Sequence, residues 1–415
     1  MPVLKSKGEY EKFLRIIKIG QKMTKKTDIY LDYAASTPTD PQVVEAMLPY
    51  FSEIYGNASG LHKQARASAR AIDDARRKVA DILGCTPKEI VFTACGSESD
   101  NIAIRGVAWA QRQVGKGNHL ITTPIEHHAV DHTINQLCDK FGFEQTVVPV
   151  DPYGVVNPAD VAAAIRPETV LISVMYANNE VGSLQPIAEI GALARERGVP
   201  FHTDAVQAAA YESLDVDSVQ VGLLAISGHK IYAPKGIGIL YMRKNTLFLS
   251  PLTGGSHENN RRPGTENVPY IVGIAKALEL VQAHRRAEKE RQAALRDRLI
   301  AGVLQTIPGS QLTGHPSQRL ANHASFVFEG CEADAILMHL DMAGVQAASG
   351  SACTTGMPEP SHVLMALGVP YDLALSALRL TVGRPTTPAD IETVLALLPG
   401  IIEKVRQLNP AYELG

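Results

Sequence analysis

The sequence predicts an α/β protein in which a large domain with a mostly parallel, seven-stranded sheet is followed by a smaller α+β C-terminal domain. Between residues 90 and 242, short β-branched runs alternate with stretches of helical periodicity, a pattern typical of crossover helices over a parallel sheet. After residue 287 the order changes to strand, helix, two strands and helix, which indicates a second domain. The length of 415 residues fits two or three domains.

The large domain is predicted to span residues 28–286. Its first strand-like run, residues 29–32, can pack on the small domain. A helix begins after Val268, and its charged continuation over residues 284–298 leaves the large domain and starts the next. The seven strand candidates of the sheet are residues 90–93, 119–122, 145–149, 170–174, 200–203, 222–227 and 238–242.

The small domain is predicted to span residues 287–415. Its expected elements are strands at 324–328, 345–348 and 377–382, a helix at 333–340 and a final helix from Ala389. Residues 1–27 carry eight Lys or Arg against two Glu and are interpreted as an N-terminal extension.

Composition excludes several classes of partner. The net charge of -3 lacks the basic field that nucleic-acid binding needs. Neither an apolar run of about 18 residues nor a signal-peptide pattern is present, so no membrane association is expected. The five cysteines are scattered and form no C-x-x-C pair, which argues against disulfides or a thiolate zinc cage and favours a reducing, cytoplasmic location.

Lys230 follows an apolar strand in the segment LLAISGHKIYAPKGIG. A lysine at this position is either an edge residue in water or an amine held in a pocket, where loss of solvent makes it a nucleophile towards aldehydes. In the preceding FHTDAVQAA, Asp204 is suited to pair with a pyridinium nitrogen, although the cap of a following helix explains it equally well.

Two further segments carry polar groups at strand ends. Gly96 and Ser97 stand between a strand and a helix, where backbone N–H groups form an anion site; an ordinary capping arrangement is the alternative. In EHHAVDH, the ring of His127 can stack on an aromatic cofactor. His128 and His132 share a helical face, but no H-E-x-x-H motif accompanies them, and no metal ligand is predicted.

Together, these segments resemble the cysteine desulfurases of the NifS/IscS type, within the class V aminotransferase family of pyridoxal-phosphate enzymes (aspartate-aminotransferase-like, fold type I). The resemblance runs from YLDYAASTPTDP at Tyr30 to about Asn409. Its marks, in family order, are GNASGLH, YANNEVG, TDAVQ, SGHK, RRPGTEN and SGSACTTGMPEPSHVLMALG.

The resemblance implies pyridoxal 5'-phosphate as the cofactor, covalently held by Lys230. Asp204 would bind the ring nitrogen, and His127 would stack on the ring and move protons. Arg379 would clamp the substrate carboxylate, for which a bidentate guanidinium is suited. The implied contacts to the ring and phosphate come from Asn179 (which also borders the substrate and has a loop-capping alternative), Gln207, Gly96, Ser97, Ser227, His229 and, from a second subunit of a homodimer, Thr265.

Cys353 distinguishes this family from its transaminating relatives. It stands among glycines and prolines in ASGSACTTGMPEP, which predicts a mobile loop. A thiolate there would take the sulfur of L-cysteine as a persulfide, leaving L-alanine, and pass it to an acceptor such as an iron–sulfur scaffold. The chain ends at Gly415, where longer relatives carry a scaffold-docking tail, so docking through such a tail is not carried over.

Three other functions stay open at the level of sequence. A selenocysteine lyase would use the same site, and a transaminase of the same family would not depend on Cys353. A non-catalytic sulfur carrier or assembly partner would retain the fold without turnover.

Overall fold

The computed structural model describes residues 28–350 and 359–409. Its main feature is a seven-stranded sheet with the strand order β2-β8-β7-β6-β5-β3-β4, in which β8 is antiparallel to both neighbours and the other pairs are parallel. This confirms the predicted mostly parallel sheet. Its strands are β2 (Ile90–Thr93), β3 (His119–Thr122), β4 (Glu144–Val147), β5 (Thr169–Ser173), β6 (Phe201–Asp204), β7 (Leu223–Ser227) and β8 (Gly238–Met242).

Burial on both faces explains why these runs are strands. Every residue of β5, β7 and β8 is buried, as expected for a parallel sheet that helices cover on both sides. One large apolar cluster fills one face of the sheet, and a second cluster around Val107, Ile134 and Leu223 fills the other. Of the seven strands, only β4, at one edge of the sheet, is largely open to solvent.

The helices cover the sheet and connect the two domains. The 39-residue helix α9 packs its N-terminal part on α1 and α3 and its C-terminal part on α13. It continues unbroken across residue 286, the predicted end of the large domain. The helices are α1 (Pro41–Met47), α2 (Pro49–Ser52), α3 (Lys63–Leu83), α4 (Gly96–Gln113), α5 (His128–Phe141), α6 (Pro158–Ala164), α7 (Ile187–Glu196), α8 (His257–Asn260), α9 (Val268–Thr306), α10 (Ala333–Met342), α11 (His362–Ala366), α12 (Tyr371–Ala374) and α13 (Pro388–Leu408).

The C-terminal part of the chain forms a separate core. A three-stranded antiparallel sheet has the order β12-β10-β9, with β9 (Ser310–Leu312), β10 (His323–Phe328) and β12 (Leu378–Thr381). A parallel pair joins β1 (Ile29–Tyr30), the first strand described, to β11 (Val345–Gln346). The first residues of the described chain therefore lie on the small domain.

The topology brings polar residues to one edge of the large sheet. The parallel strands β3, β6 and β7 end at this edge, and the chain leaving the antiparallel β2–β8 pair reaches it at Gly96. Ligands of open α/β sheets bind beyond the carboxyl ends of the strands. The small domain faces the same edge through β12 and the segment after β1, because the amide of Ala34 donates to Thr381 Oγ1 at 2.9 Å.

Candidate active site

A cavity of about 220 Å³ lies between this edge of the sheet and the small domain. Ten of the twelve site residues predicted from the sequence line it. They are Gly96, Ser97, His127, Asn179, Asp204, Gln207, Ser227, His229, Lys230 and Arg379. The remaining two are Thr265, which lies elsewhere, and Cys353, which lies outside the described residues.

Lys230 projects its amine into this cavity rather than into bulk solvent. It ends the short 3-10 turn Gly228–Lys230 directly after β7, and its Nζ donates to the carbonyl oxygens of Ala34 at 2.6 Å and Ala35 at 2.9 Å. Burial, with a smaller effect of nearby Arg379, lowers the pKa of Lys230 to about 8. A larger share of the amine is therefore unprotonated near neutral pH than in a free lysine, and the unprotonated form is the one that attacks an aldehyde.

Asp204 and His127 flank the cavity near Lys230. Asp204 ends β6, is buried, and accepts a hydrogen bond from the amide of Val206 at 2.9 Å. Turns rather than a helix follow it, so the helix-cap alternative does not apply. Burial raises the pKa of Asp204, while His127 and Lys230 oppose the rise. His127 caps α5 through Nδ1, which accepts from the amide of Ala129 at 3.1 Å and fixes the ring.

A buried polar layer behind Asp204 was missed by the sequence analysis. Asp100 borders the cavity and lies 3.4 Å from His202, whose other ring nitrogen contacts Ser173 Oγ at 2.9 Å. Burial, followed by the nearby Asp204, raises the pKa of Asp100, and burial lowers the pKa of His202 to about 3. Burial thus disfavours the charged form of both groups. The sequence feature that could have predicted this position is spacing, because Asp100 is four residues after Gly96 and therefore on the same face of α4.

The N-terminus of α4 provides the end of the cavity suited to an anion. Gly96 is the first residue of this 18-residue helix, and Ser97 follows with its N–H group still unpaired within the helix. A Cβ on Gly96 would lie 2.8 Å from Val206 Cγ2, so only glycine allows this close approach. Cys95, the residue before Gly96, caps α4 by accepting a hydrogen bond from the amide of Glu98.

Arg379 is already partly paired. Its Nη2 donates to Asp32 Oδ1 at 2.9 Å and its Nη1 donates to the carbonyl of Asn179 at 2.8 Å, whereas its buried Nε has no partner among the described residues. Asp32 was not singled out from the sequence, because the pair joins residues 347 positions apart. Gln207 donates to the carbonyl of Ala34 at 3.0 Å.

The residue that caps the loop near Asn179 is the preceding one, Asn178. Asn178 is buried, its Oδ1 accepts from the amides of Glu180 and Val181, and its Nδ2 donates to the carbonyl of Ile125. The loop-capping alternative considered for Asn179 is therefore met by Asn178, and Asn179 lines the cavity.

Thr265 is exposed in a different depression, next to Thr93 and Gly264. The segment before it contains Glu258, Asn259 and Asn260, three consecutive non-glycine residues in the left-handed region. Such backbone costs about 1–3 kcal/mol per residue and persists only where surrounding contacts enforce it. One such contact is the ion pair of Glu258 with Arg76, at 2.6 Å.

Comparisons with known proteins agree on one group. The family model described as "Aminotransferase class-V" matches residues 29–394. A protein of Methanosarcina thermophila named "Cysteine desulfurase IscS" is 48% identical over 93% of this chain and 95% of its own length, and one of Dictyoglomus turgidum with the same name is 46% identical over 93% and 97%.

Solved structures give the same result. One titled "NIFS-LIKE PROTEIN" is 31% identical with a TM-score of 0.83, covering 92% of this chain and 99% of its own. Another, titled "SspA in complex with cysteine", is 36% identical with a TM-score of 0.76, covering 85% and 98%.

Proposed function

The chain belongs to the class-V aminotransferase family and is a cysteine desulfurase, and from this premise we propose that it binds pyridoxal 5'-phosphate at Lys230 and transfers the sulfur of L-cysteine to Cys353. The observation that carries the proposal is the meeting of three groups in one cavity. A partly desolvated amine, a buried carboxylate and a helix N-terminus line it together.

The residues present fit this cofactor. Lys230 offers an amine with a pKa of about 8 for the aldehyde, and Asp204 offers a carboxylate for the pyridine nitrogen. Gly96 and Ser97 at the start of α4 are suited to the phosphate, since backbone N–H groups and the helix dipole favour a dianion there. His229 and Ser227 border the same cavity.

When bound, the cofactor supplies an electron sink for the charge that develops at the α-carbon of the amino acid. Lys230 holds it and, once released, exchanges the α-proton through Nζ. His127 covers one side of the cavity with a ring that its capping hydrogen bond keeps in place. Asp32 and the carbonyl of Asn179 hold the guanidinium of Arg379 at the cavity, and its Nε is left without a partner among the described residues. There Arg379 binds the substrate carboxylate.

Cys353, which lies outside the described residues, is proposed as the sulfur acceptor. Its thiolate attacks the sulfur of the bound cysteine; a sulfur–sulfur bond forms as the carbon–sulfur bond breaks, and the carbon takes up a proton and leaves as L-alanine. Cysteine and the enzyme thiol thus yield alanine and an enzyme persulfide, with no other reactant. Transfer of this sulfur to an acceptor such as an iron–sulfur scaffold, in the cytoplasm, belongs to the same proposal.

We also propose a homodimer in which Thr265 reaches the cofactor of the neighbouring subunit. Thr265 is exposed, and the loop that carries it borders the same surface depression as Ala58 and Ser59. Tyr55 and Leu61, close in the chain to Ala58 and Ser59, are exposed at 69% and 90%. Exposed apolar patches mark association surfaces.

The helices in the described part of the chain include none with the length and hydropathy of a membrane span.

Reduction with borohydride tests the cofactor assignment. The purified protein is expected to be yellow, and borohydride should attach the cofactor permanently to the peptide that contains Lys230. Cys353→Ser should keep the colour and stop sulfide release from L-cysteine, whereas the matched control Cys138→Ser should retain both. Undiminished sulfide release by Cys353→Ser would refute the sulfur-acceptor assignment, and label on a different lysine would refute the assignment of Lys230.

A further inference from the structure

Three metal-binding side chains meet on the first turns of α5, immediately after His127. His128 and His132 are four residues apart and therefore share one face of the helix, and Asp131 lies between them. Their rings stack with centroids 4.5 Å apart, and Asp131 Oδ2 lies 3.9 Å from His132 Nε2. One ligand atom from each of the three residues lies within 4.8 Å of the others.

Neighbouring side chains hold this arrangement in place. Asn135 donates to Asp131 Oδ1 at 2.9 Å, and Gln145 on β4 donates to Asn135 Oδ1 at 2.7 Å. Asp131 Oδ1 is therefore occupied, and Oδ2 is left facing His132. Metal-binding carboxylates are characteristically supported in this way by a second group that hydrogen-bonds the non-coordinating oxygen.

The two imidazoles are available to a ligand. Among the described residues, neither His128 nor His132 has a hydrogen-bond partner, and the side chain of His132 is 69% exposed. The ring of His362 packs against His128 at 4.9 Å, while its own Nε2 contacts the carbonyl of Glu126. His362 thus supports the position of His128.

We propose that His128, Asp131 and His132 bind a divalent transition-metal ion of the zinc class beside the active-site cavity. Two imidazole nitrogens and one carboxylate oxygen are the ligand set that suits zinc, rather than the all-oxygen sets of magnesium or calcium. Tetrahedral bonds of about 2.0–2.1 Å place ligand atoms about 3.3 Å apart, so the side chains need to close by about 1.5 Å at most. The two stacked rings also need to turn so that their in-plane nitrogen lone pairs point at one ion.

This proposal adds to the sequence-based expectation, which contained no metal ligand. Sequence spacing supplied two histidines without a third ligand, whereas the structure adds an oriented Asp131. The site does not depend on the proposed cofactor or on Cys353, and its test reads metal binding rather than turnover. Failure of one proposal therefore leaves the other to be judged by its own experiment.

Calorimetric titration of the full-length, cofactor-loaded protein with zinc chloride tests the site. The unchanged protein and the control His284→Ala, which removes an exposed histidine of α9, are expected to share one tight site. His132→Ala and Asp131→Ala should each lose it. Asn135→Ala retains all three ligands, and we expect its dissociation constant to rise about 10-fold to 100-fold, because only the support of Asp131 is removed.

Thermal stability gives a second readout. Excess zinc should raise the unfolding temperature of the unchanged protein and of His284→Ala, but not that of His132→Ala, because an ion that binds only the folded state stabilises it. Other zinc-binding groups of the chain, including its thiols, are identical in all variants. Equal numbers and affinities of sites in His132→Ala and the unchanged protein would overturn the proposal, as would the absence of any tight site.

Discussion

The pH at which Lys230 becomes reactive is a direct consequence of its surroundings. Burial and Arg379 lower the pKa of its amine from 10.5 to about 8, against the opposing effects of Asp32 and Asp204. Only the unprotonated amine attacks an electrophile. With a pKa of about 8, the unprotonated fraction is about 9% at pH 7 and about 91% at pH 9, so reactivity rises about 10-fold and then levels off. A pKa of 10.5 would give about a 100-fold rise with no plateau.

Trace labelling of the cofactor-free protein with acetic anhydride measures this difference. The acetylated fraction of the Lys230 peptide is followed by mass spectrometry from pH 6 to pH 11, and the pooled exposed lysines correct for reagent loss. Arg379→Gln should move the midpoint of the Lys230 curve to higher pH, because it removes a positive charge near the amine and leaves Asp32 without its partner. Arg298→Gln changes an exposed arginine paired with Glu392 and should not move it.

Two results would refute this reasoning. A labelling curve that still rises steeply above pH 9 would mean that the amine is solvated as in a free lysine. An unchanged midpoint in Arg379→Gln would mean that the guanidinium does not act on the amine.

Three further predictions concern other parts of the molecule. Glu258→Ala should lower the free energy of unfolding by about 3–5 kcal/mol in urea titrations, because it leaves the largely buried Arg76 without its carboxylate partner, whereas Asp74→Ala at an exposed ion pair should cost less than about 1 kcal/mol. Thr265→Ala should weaken cofactor retention about 10-fold in dialysis, and mixed dimers with Lys230→Ala subunits should recover one intact site; no recovery would contradict action across subunits. Removing residues 1–22 should change neither the colour nor sulfide release, and loss of either would contradict the interpretation of the extension.

The sheet was predictable from the sequence because its strands are buried on both faces. Runs such as 90–93, 119–122 and 238–242 match the observed strands residue for residue, and the other four candidates differ by one or two residues at their ends. The short strand β9 was missed, since Ser310–Leu312 shows neither alternation nor an apolar run and owes its conformation to pairing with β10.

The site was predictable where a motif follows a strand end, and not where distant segments meet. Strand-end motifs pointed to Lys230 and Asp204, which line one cavity because the ends of neighbouring parallel strands share one edge. The carbonyls of Ala34 and Ala35 that receive the amine were missed, since they contribute backbone atoms almost 200 residues away from Lys230. Periodicity contains no information about such a contact.

The mass of the peptide that contains Cys353, after exposure to L-cysteine, shows whether the sulfur of the substrate reaches this thiol. The cofactor-loaded protein is incubated with one equivalent of L-cysteine without reductant. The mass of the peptide containing Cys353 is then measured by mass spectrometry. We expect this peptide to gain one sulfur atom in the unchanged protein and none in Lys230→Ala. A peptide of unchanged mass accompanied by continued formation of alanine, or an equal gain in Lys230→Ala, would contradict it.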